Sequence, residues 1–178
     1  VHEQLSENIY EKQYLPNIRV KRMIDTMKDA YEEIKRADHL VYVSLKYTRT
    51  ADVIKNIINR LILANNKMID ALTKKLSKEG KLGEEEEMTY PEKVKSLKSE
   101  YSEDEKIKEM LEFNTFLRKL DRAEFSGENE FRRHVKMKAM VDNQLYEIDL
   151  DTITSYFKRT KNYFEYCRSL IIPEESNP

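Results

Sequence analysis

Two apolar stripes constrain this chain more than any other feature. Val20, Met23, Ile24, Met27, Ala30, Tyr31, Ile34, Ala37, Val41 and Leu45 recur mainly in steps of three and four. So do Ile54, Ile57, Ile58, Leu61, Ala64, Met68, Ile69, Leu72 and Leu76. A helix turns once in about 3.6 residues, so each set falls on one face. Opposite the first stripe stand Lys21, Arg22, Asp25, Lys28, Asp29, Glu32, Lys35 and Arg36. The spacing predicts a long helix over 18–47, entered from Leu15-Pro16-Asn17 with Asn17 as its cap, and residues 1–17 as a short amphipathic lead-in. A second helix starts from a Thr50 cap and ends in lysines before Gly80. Cations there meet the negative end of the helix dipole, and glycine accepts the backbone of a helix stop. Joined by the short Tyr47–Thr50 turn, the two helices pack most simply as an antiparallel hairpin.

Composition narrows the function classes. The chain has 178 residues, with only three glycines and four prolines, which fits one mainly helical domain over 1–178. With 32 basic and 33 acidic residues the net charge is −1, which argues against a protein that coats nucleic acid by bulk charge. Gly80, Gly83 and Gly127 form no glycine-rich phosphate loop, so nucleotide fingerprints are excluded. The single cysteine, Cys167, allows neither an internal disulfide nor a cysteine-based zinc site, and it fits a reducing, cytoplasmic setting. No apolar run is long enough to span a membrane.

The remaining segments read as follows. Seven lysines against twelve acidic residues in 78–112 give a local charge of −5, and 78–90 reads as an acidic mobile loop. Pro91 starts a short helix with Val94, Leu97 and Tyr101 inward. Ser102 and Glu105 form a capping box that opens another helix, with Ile107, Met110, Leu111, Phe113, Leu117 and Leu120 buried, and Gly127 terminates that stretch. From His134 to Leu150 the pattern alternates about an Asp142-Asn143 turn. Pairing residues whose numbers sum to 285 sets Val135 on Leu150, Met137 on Ile148 and Ala139 on Tyr146. The same register sets Lys136 on Asp149, Lys138 on Glu147 and His134 on Asp151. It aligns apolar and charged partners at once, so a two-stranded hairpin is expected. Asp151 caps a closing helix, and 172–178 is a frayed tail.

Candidate chemistry is sparse. His39, after Asp38 and three residues beyond Arg36, is placed for acid–base work if a partner orients it, though a solvated histidine accounts for it as well. Cys167 on an apolar face reads as a small buried hydrophobe. Three scattered histidines and the Glu84–Glu87 run have no metal-ligand spacing, so neither metal nor cofactor is expected. Arg132 and Arg133, with Lys158, Arg159 and Lys161, form a small basic set for nucleic acid, with Tyr156 and Tyr163 interleaved. Asn65 and Asn114 fall on apolar stripes. Buried amides of this kind can fix register between helices, or can simply bond a local carbonyl.

The segment Ala37-Asp38-His39-Leu40-Val41-Tyr42-Val43 and the helix from Asp52-Val53-Ile54-Lys55-Asn56-Ile57 to Met68-Ile69-Asp70-Ala71-Leu72 resemble the two core helices of HEPN-type proteins over residues 18–76. The chain is also similar to small archaeal helical proteins with a late hairpin and a closing helix. The resemblance implies a bundle that dimerises through these helices and a link to RNA or defence processes. Many HEPN members are ribonucleases with an Arg and a His four to six residues apart on one helix. Here Arg36 precedes His39 by three, and Arg132 and Arg133 adjoin His134. The expectation is therefore a helical bundle with one hairpin, acting as a non-enzymatic interaction module and homo-oligomer, with RNA or another protein as a possible partner and no membrane. The alternative is a ribonuclease using Arg36 and His39.

Overall fold

The structure, a computed structural model, describes residues 2–83 and 87–172, with side chains from residue 18 onward. The core of the expected acidic loop, residues 84–86, and the tail 173–178 lie outside the described residues. Helix α1 spans His2–His39 and continues through a π turn at Leu40–Ser44 and a last turn at Leu45–Tyr47. Helices α2 (Ala51–Lys78), α3 (Tyr90–Glu100) and α4 (Glu105–Arg122) follow. Strands β1 (Phe125–Glu128), β2 (Lys136–Val141) and β3 (Gln144–Ile148) lead into α5 (Leu150–Ile171). Among the described residues no helix is long and apolar enough to cross a membrane.

The helix start expected at Asn17 is overturned: α1 runs unbroken through Leu15-Pro16-Asn17. Proline's fixed φ is itself helical, so the helix passes it with one backbone donor fewer. At its other end Leu45 N donates to Leu40 O, a bond one residue wider than the helical norm. Successive four-residue steps drift about 40° each around an ordinary helix. The wider turn keeps Ala37, Val41 and Leu45 all in the core.

Cross-helix contacts fix the direction of the α1–α2 pair. Arg60 bonds Glu33 at 3.0 Å, Lys67 pairs with Asp29 at 3.7 Å, and Lys74 Nζ donates to Thr26 Oγ1 at 2.8 Å. One number rises as the other falls, so the helices are antiparallel. Thr50 caps α2 by accepting from Val53 N at 3.3 Å. Gly80, at φ +73, closes it, with Lys81 N donating to Leu76 O at 2.9 Å and Gly80 N to Ser77 O at 3.1 Å. Helix α2 is buried on more than its stripe: Ile62, Ala71 and Thr73 are also inside, because α1, α4 and α5 surround it.

Two expected caps move by two residues each, and α3 has a capping box not expected from the sequence. Thr89 and Glu92 form the capping box of α3, with Thr89 N donating to Glu92 Oε2 at 2.7 Å. The box expected at Ser102 and Glu105 is replaced by Asp104, whose Oδ1 accepts from Ile107 N at 3.0 Å. Its Oδ2 accepts from Tyr166 OH at 2.6 Å and so ties α5 to the start of α4. That bond, with burial, pushes the Tyr166 phenol up to about 12. The cap of α5 is Asp149 rather than Asp151, accepting from Thr152 N at 2.8 Å. The bonds from Thr152 hold its carboxyl below the usual range.

The two-stranded hairpin becomes a three-stranded antiparallel meander in the order β1-β2-β3. The β2–β3 register pairs Met137 with Ile148, Lys138 with Glu147 and Ala139 with Tyr146, as the charge and apolar patterns require. Asp142 and Asn143 take positive φ in the turn. Val135, Met137, Ala139, Val141 and Ile148 are buried. Lys138 reaches Glu147 at 3.3 Å and also pairs with Glu128, while Lys136 reaches Glu147 at 3.2 Å. Asp149, the partner expected for Lys136, is instead engaged as a helix cap. Gly127 does not end a helix but pairs with Met137 inside β1. The Glu130 side chain folds over it so closely that a Cβ on Gly127 would lie 2.5 Å from Glu130 Oε1.

Candidate functional site

Four places hold the residues with chemical potential. Arg36 and His39, one turn apart on α1, line a surface groove of about 380 Å³ with Glu32, Lys35, Leu40 and Arg60. Arg36 is ion-paired with Glu33, which also accepts from Arg60 at 3.0 Å. His39 is exposed, and Asp38 makes no hydrogen bond to it. The groove therefore brings the two residues together, with Arg36 held by a carboxylate and the imidazole unoriented.

The basic set divides. Arg159 Nε donates to Tyr163 OH at 2.7 Å, and its guanidinium lies 4.4 Å from the Phe113 ring centroid. Lys161 sits 5.5 Å from the Phe157 ring, and Lys158 is exposed on the same helix. Arg132 and Arg133 are exposed on the β1–β2 loop. Arg133 and His134 line a groove of about 240 Å³ with Lys136, Asp149 and Asp151, which sets His134 and Asp151 on one side of the hairpin base.

Asn65 and Asn114 are both fully buried. Asn65 Nδ2 donates to Leu61 O on its own helix at 2.8 Å and to Thr160 Oγ1 of α5 at 3.5 Å. Asn114 Nδ2 donates to Asn66 Oδ1 of α2 and to Tyr90 OH of α3, each at 3.0 Å. The Arg118 guanidinium covers the Tyr90 ring at 3.9 Å. The Asn114 amide thus locks three helices of one chain to each other. Cys167 is buried with its Sγ 3.6 Å from Met110 Sδ, and burial pushes the thiol up to about 12, the behaviour of an inert core residue.

The fourth place carries no periodic signal in the sequence. Phe131 is 75% exposed and takes φ +62, a left-handed backbone that a bulky side chain disfavours. Its N–H donates to Arg49 O at 2.6 Å, and Glu130 Oε1 accepts from Ala51 N at 3.0 Å. These bonds dock the β1–β2 loop onto the α1–α2 corner beside Tyr47, which is 78% exposed. The one visible hint is a lone aromatic inside an otherwise polar run, Glu128-Asn129-Glu130 before it and Arg132-Arg133-His134 after it.

No family model, curated protein or solved structure matches this chain.

The Asn114 bonds carry a direct consequence for stability. Asn114→Leu strips a donor from both Asn66 and Tyr90, which are partly buried, and is expected to cost about 1–3 kcal/mol in chemical denaturation. Adding Tyr90→Phe removes one of the orphaned groups and should return part of that loss.

Proposed function

We propose that this chain is a non-enzymatic helical interaction module that pairs with a second copy of itself across the seam between α1 and α5. One observation carries the reading. The seam opens into a largely apolar groove of about 370 Å³, formed by Ile24, Met27, Tyr31, Phe164 and Ile172. Tyr31 and Ile172 remain 49% and 37% exposed. Lys28 and Arg168 rim the groove with Asp25 and Glu165 beside them, so both signs of charge border one apolar strip. A two-fold interface sets each surface against its own copy, and a patch with both signs is complementary to itself. The HEPN resemblance of residues 18–76 supports pairing through the same helical region. Light scattering is expected to return twice the 21.3 kDa chain mass. Ile172→Glu and Tyr31→Glu should each weaken pairing by about tenfold or more with helix content unchanged. A mass of one chain at all concentrations removes the proposal.

A second reading, an RNA-directed ribonuclease, rests on the groove that sets Arg36 beside His39. An imidazole could take or give the proton at a ribose hydroxyl while a guanidinium faces the phosphate. On labelled RNA this reading predicts cleavage that falls by about 10²–10⁴ in His39→Ala. Absence of cleavage, or cleavage that survives the substitution, eliminates it.

A further inference from the structure

A feature independent of the α1–α5 seam lies at the α1–α2 corner. Among described residues other than glycine, Asn129, Phe131, Asp142 and Asn143 have positive φ. Asn and Asp tolerate that backbone because their short polar side chains bond locally, whereas phenylalanine does not. Glycine at 131 would hold the same turn without strain. Nor does the ring repay the strain by packing within the chain, being 75% exposed. The conformation is nevertheless held firmly. Phe131 N donates to Arg49 O, Arg132 N donates to Asn129 O at 3.1 Å, Val135 N donates to Arg132 O at 3.2 Å, and Glu130 is engaged on Ala51 N. A strained residue presented outward by a well-bonded loop points to a role outside the chain.

The chemistry around the ring indicates what it meets. Tyr47, exposed as fully, lies two residues before the carbonyl that Phe131 bonds, with Lys46 Nζ 5.9 Å from its ring. Arg49, Arg132 and Arg133 make no ion pair among the described residues, and Arg49 Nε is buried without a hydrogen-bond partner. Glu130, the acid next to Phe131 in the loop, is committed to the α2 backbone, while Asp149 and Asp151 share a groove with Arg133 without an ion pair to it. Two open rings among unpaired guanidiniums suit a ligand that alternates flat faces with anions. Bases stack on exposed rings regardless of identity, and guanidinium binds phosphate through two parallel bonds. No helix or strand is presented here for the groove of a duplex. From this geometry we infer that the 129–134 loop, with Tyr47 and Arg49, is a docking site for single-stranded nucleic acid. Phe131 and Tyr47 take bases, and Arg49, Arg132 and Arg133 take phosphates.

The test is fluorescence anisotropy of the full chain with labelled single-stranded RNA and DNA of about a dozen nucleotides. Duplex DNA and a glutamate-rich peptide serve as comparisons. Affinity for single strands is expected in the micromolar range at low salt. Three phosphate contacts on a single strand give a log–log salt slope of about −2, so binding should weaken about 20-fold between 50 and 200 mM salt. Phe131→Gly should lose about 10- to 100-fold in affinity while leaving the melting temperature unchanged or raised. Arg132→Ala with Arg133→Ala should flatten the salt slope. Failure to bind single strands, equal or tighter binding of the duplex or the acidic peptide, or undiminished binding by Phe131→Gly would each overturn the inference. So would a lowered melting temperature in Phe131→Gly, because the ring would then serve the fold.

Discussion

Everything in this molecule is arranged around the burial of α2. Ile54, Ile57, Ile58, Leu61, Met68, Ile69 and Leu72 have no exposed surface. Each such side chain contributes roughly 1.5–3 kcal/mol relative to exposure, before the entropy of ordering the chain is subtracted. A helix buried on several sides needs neighbours on several sides. α1 covers one flank, α5 and α4 two others, and α3 and the sheet fill the remainder. The polar exceptions on α2 follow from the same geometry. Asn66, Thr73 and the Asn65 Nδ2 group lie where a neighbouring helix or an earlier carbonyl supplies a partner, whereas Asn65 Oδ1 has none among the described residues.

Around that post, charge handles orientation rather than bulk stability. Glu33, Asp29 and Thr26 of α1 meet Arg60, Lys67 and Lys74 of α2 in reverse order, and Lys93 of α3 meets Asp70 of α2 at 2.8 Å. Most of these pairs are partly exposed, where an ion pair adds little net free energy. Their worth is in excluding the parallel arrangement and slipped registers. The sheet uses the same device: Glu128, Lys138 and Glu147 link its three strands on the face away from the core.

The parts legible in the sequence are those governed by one period and one partner. Amphipathic helices and the β2–β3 register qualify, since a slip of one residue exposes Met137, Ala139 and Ile148 together. Strand β1 does not. Its four residues include Gly127 and carry no alternation, so it exists only because β2 offers an edge to pair with. The π turn is equally silent, being set by the need to hold Val41 and Leu45 against α2. The shifts from Ser102 to Asp104 and from Asp151 to Asp149 reflect competition between adjacent polar residues for one cap, which helix docking decides. At the candidate sites, residue type singled out Arg36, His39, Arg132 and Arg133. It did not reveal that Arg159 is bonded to Tyr163 and stacked on Phe113, nor that Phe131 stands outward on a left-handed backbone. Exposure and φ are properties of the folded loop, and the lone aromatic in a polar run hints at the first without encoding the second.

Native-state hydrogen exchange tests the central role of α2 most directly. Amides from Ile57 to Leu72 should exchange only through global unfolding, with protection equal to the full stability of the protein, while α3 and the β1–β2 loop open at lower free energy. Exchange of α2 through local opening, at rates matching α3, would contradict the account.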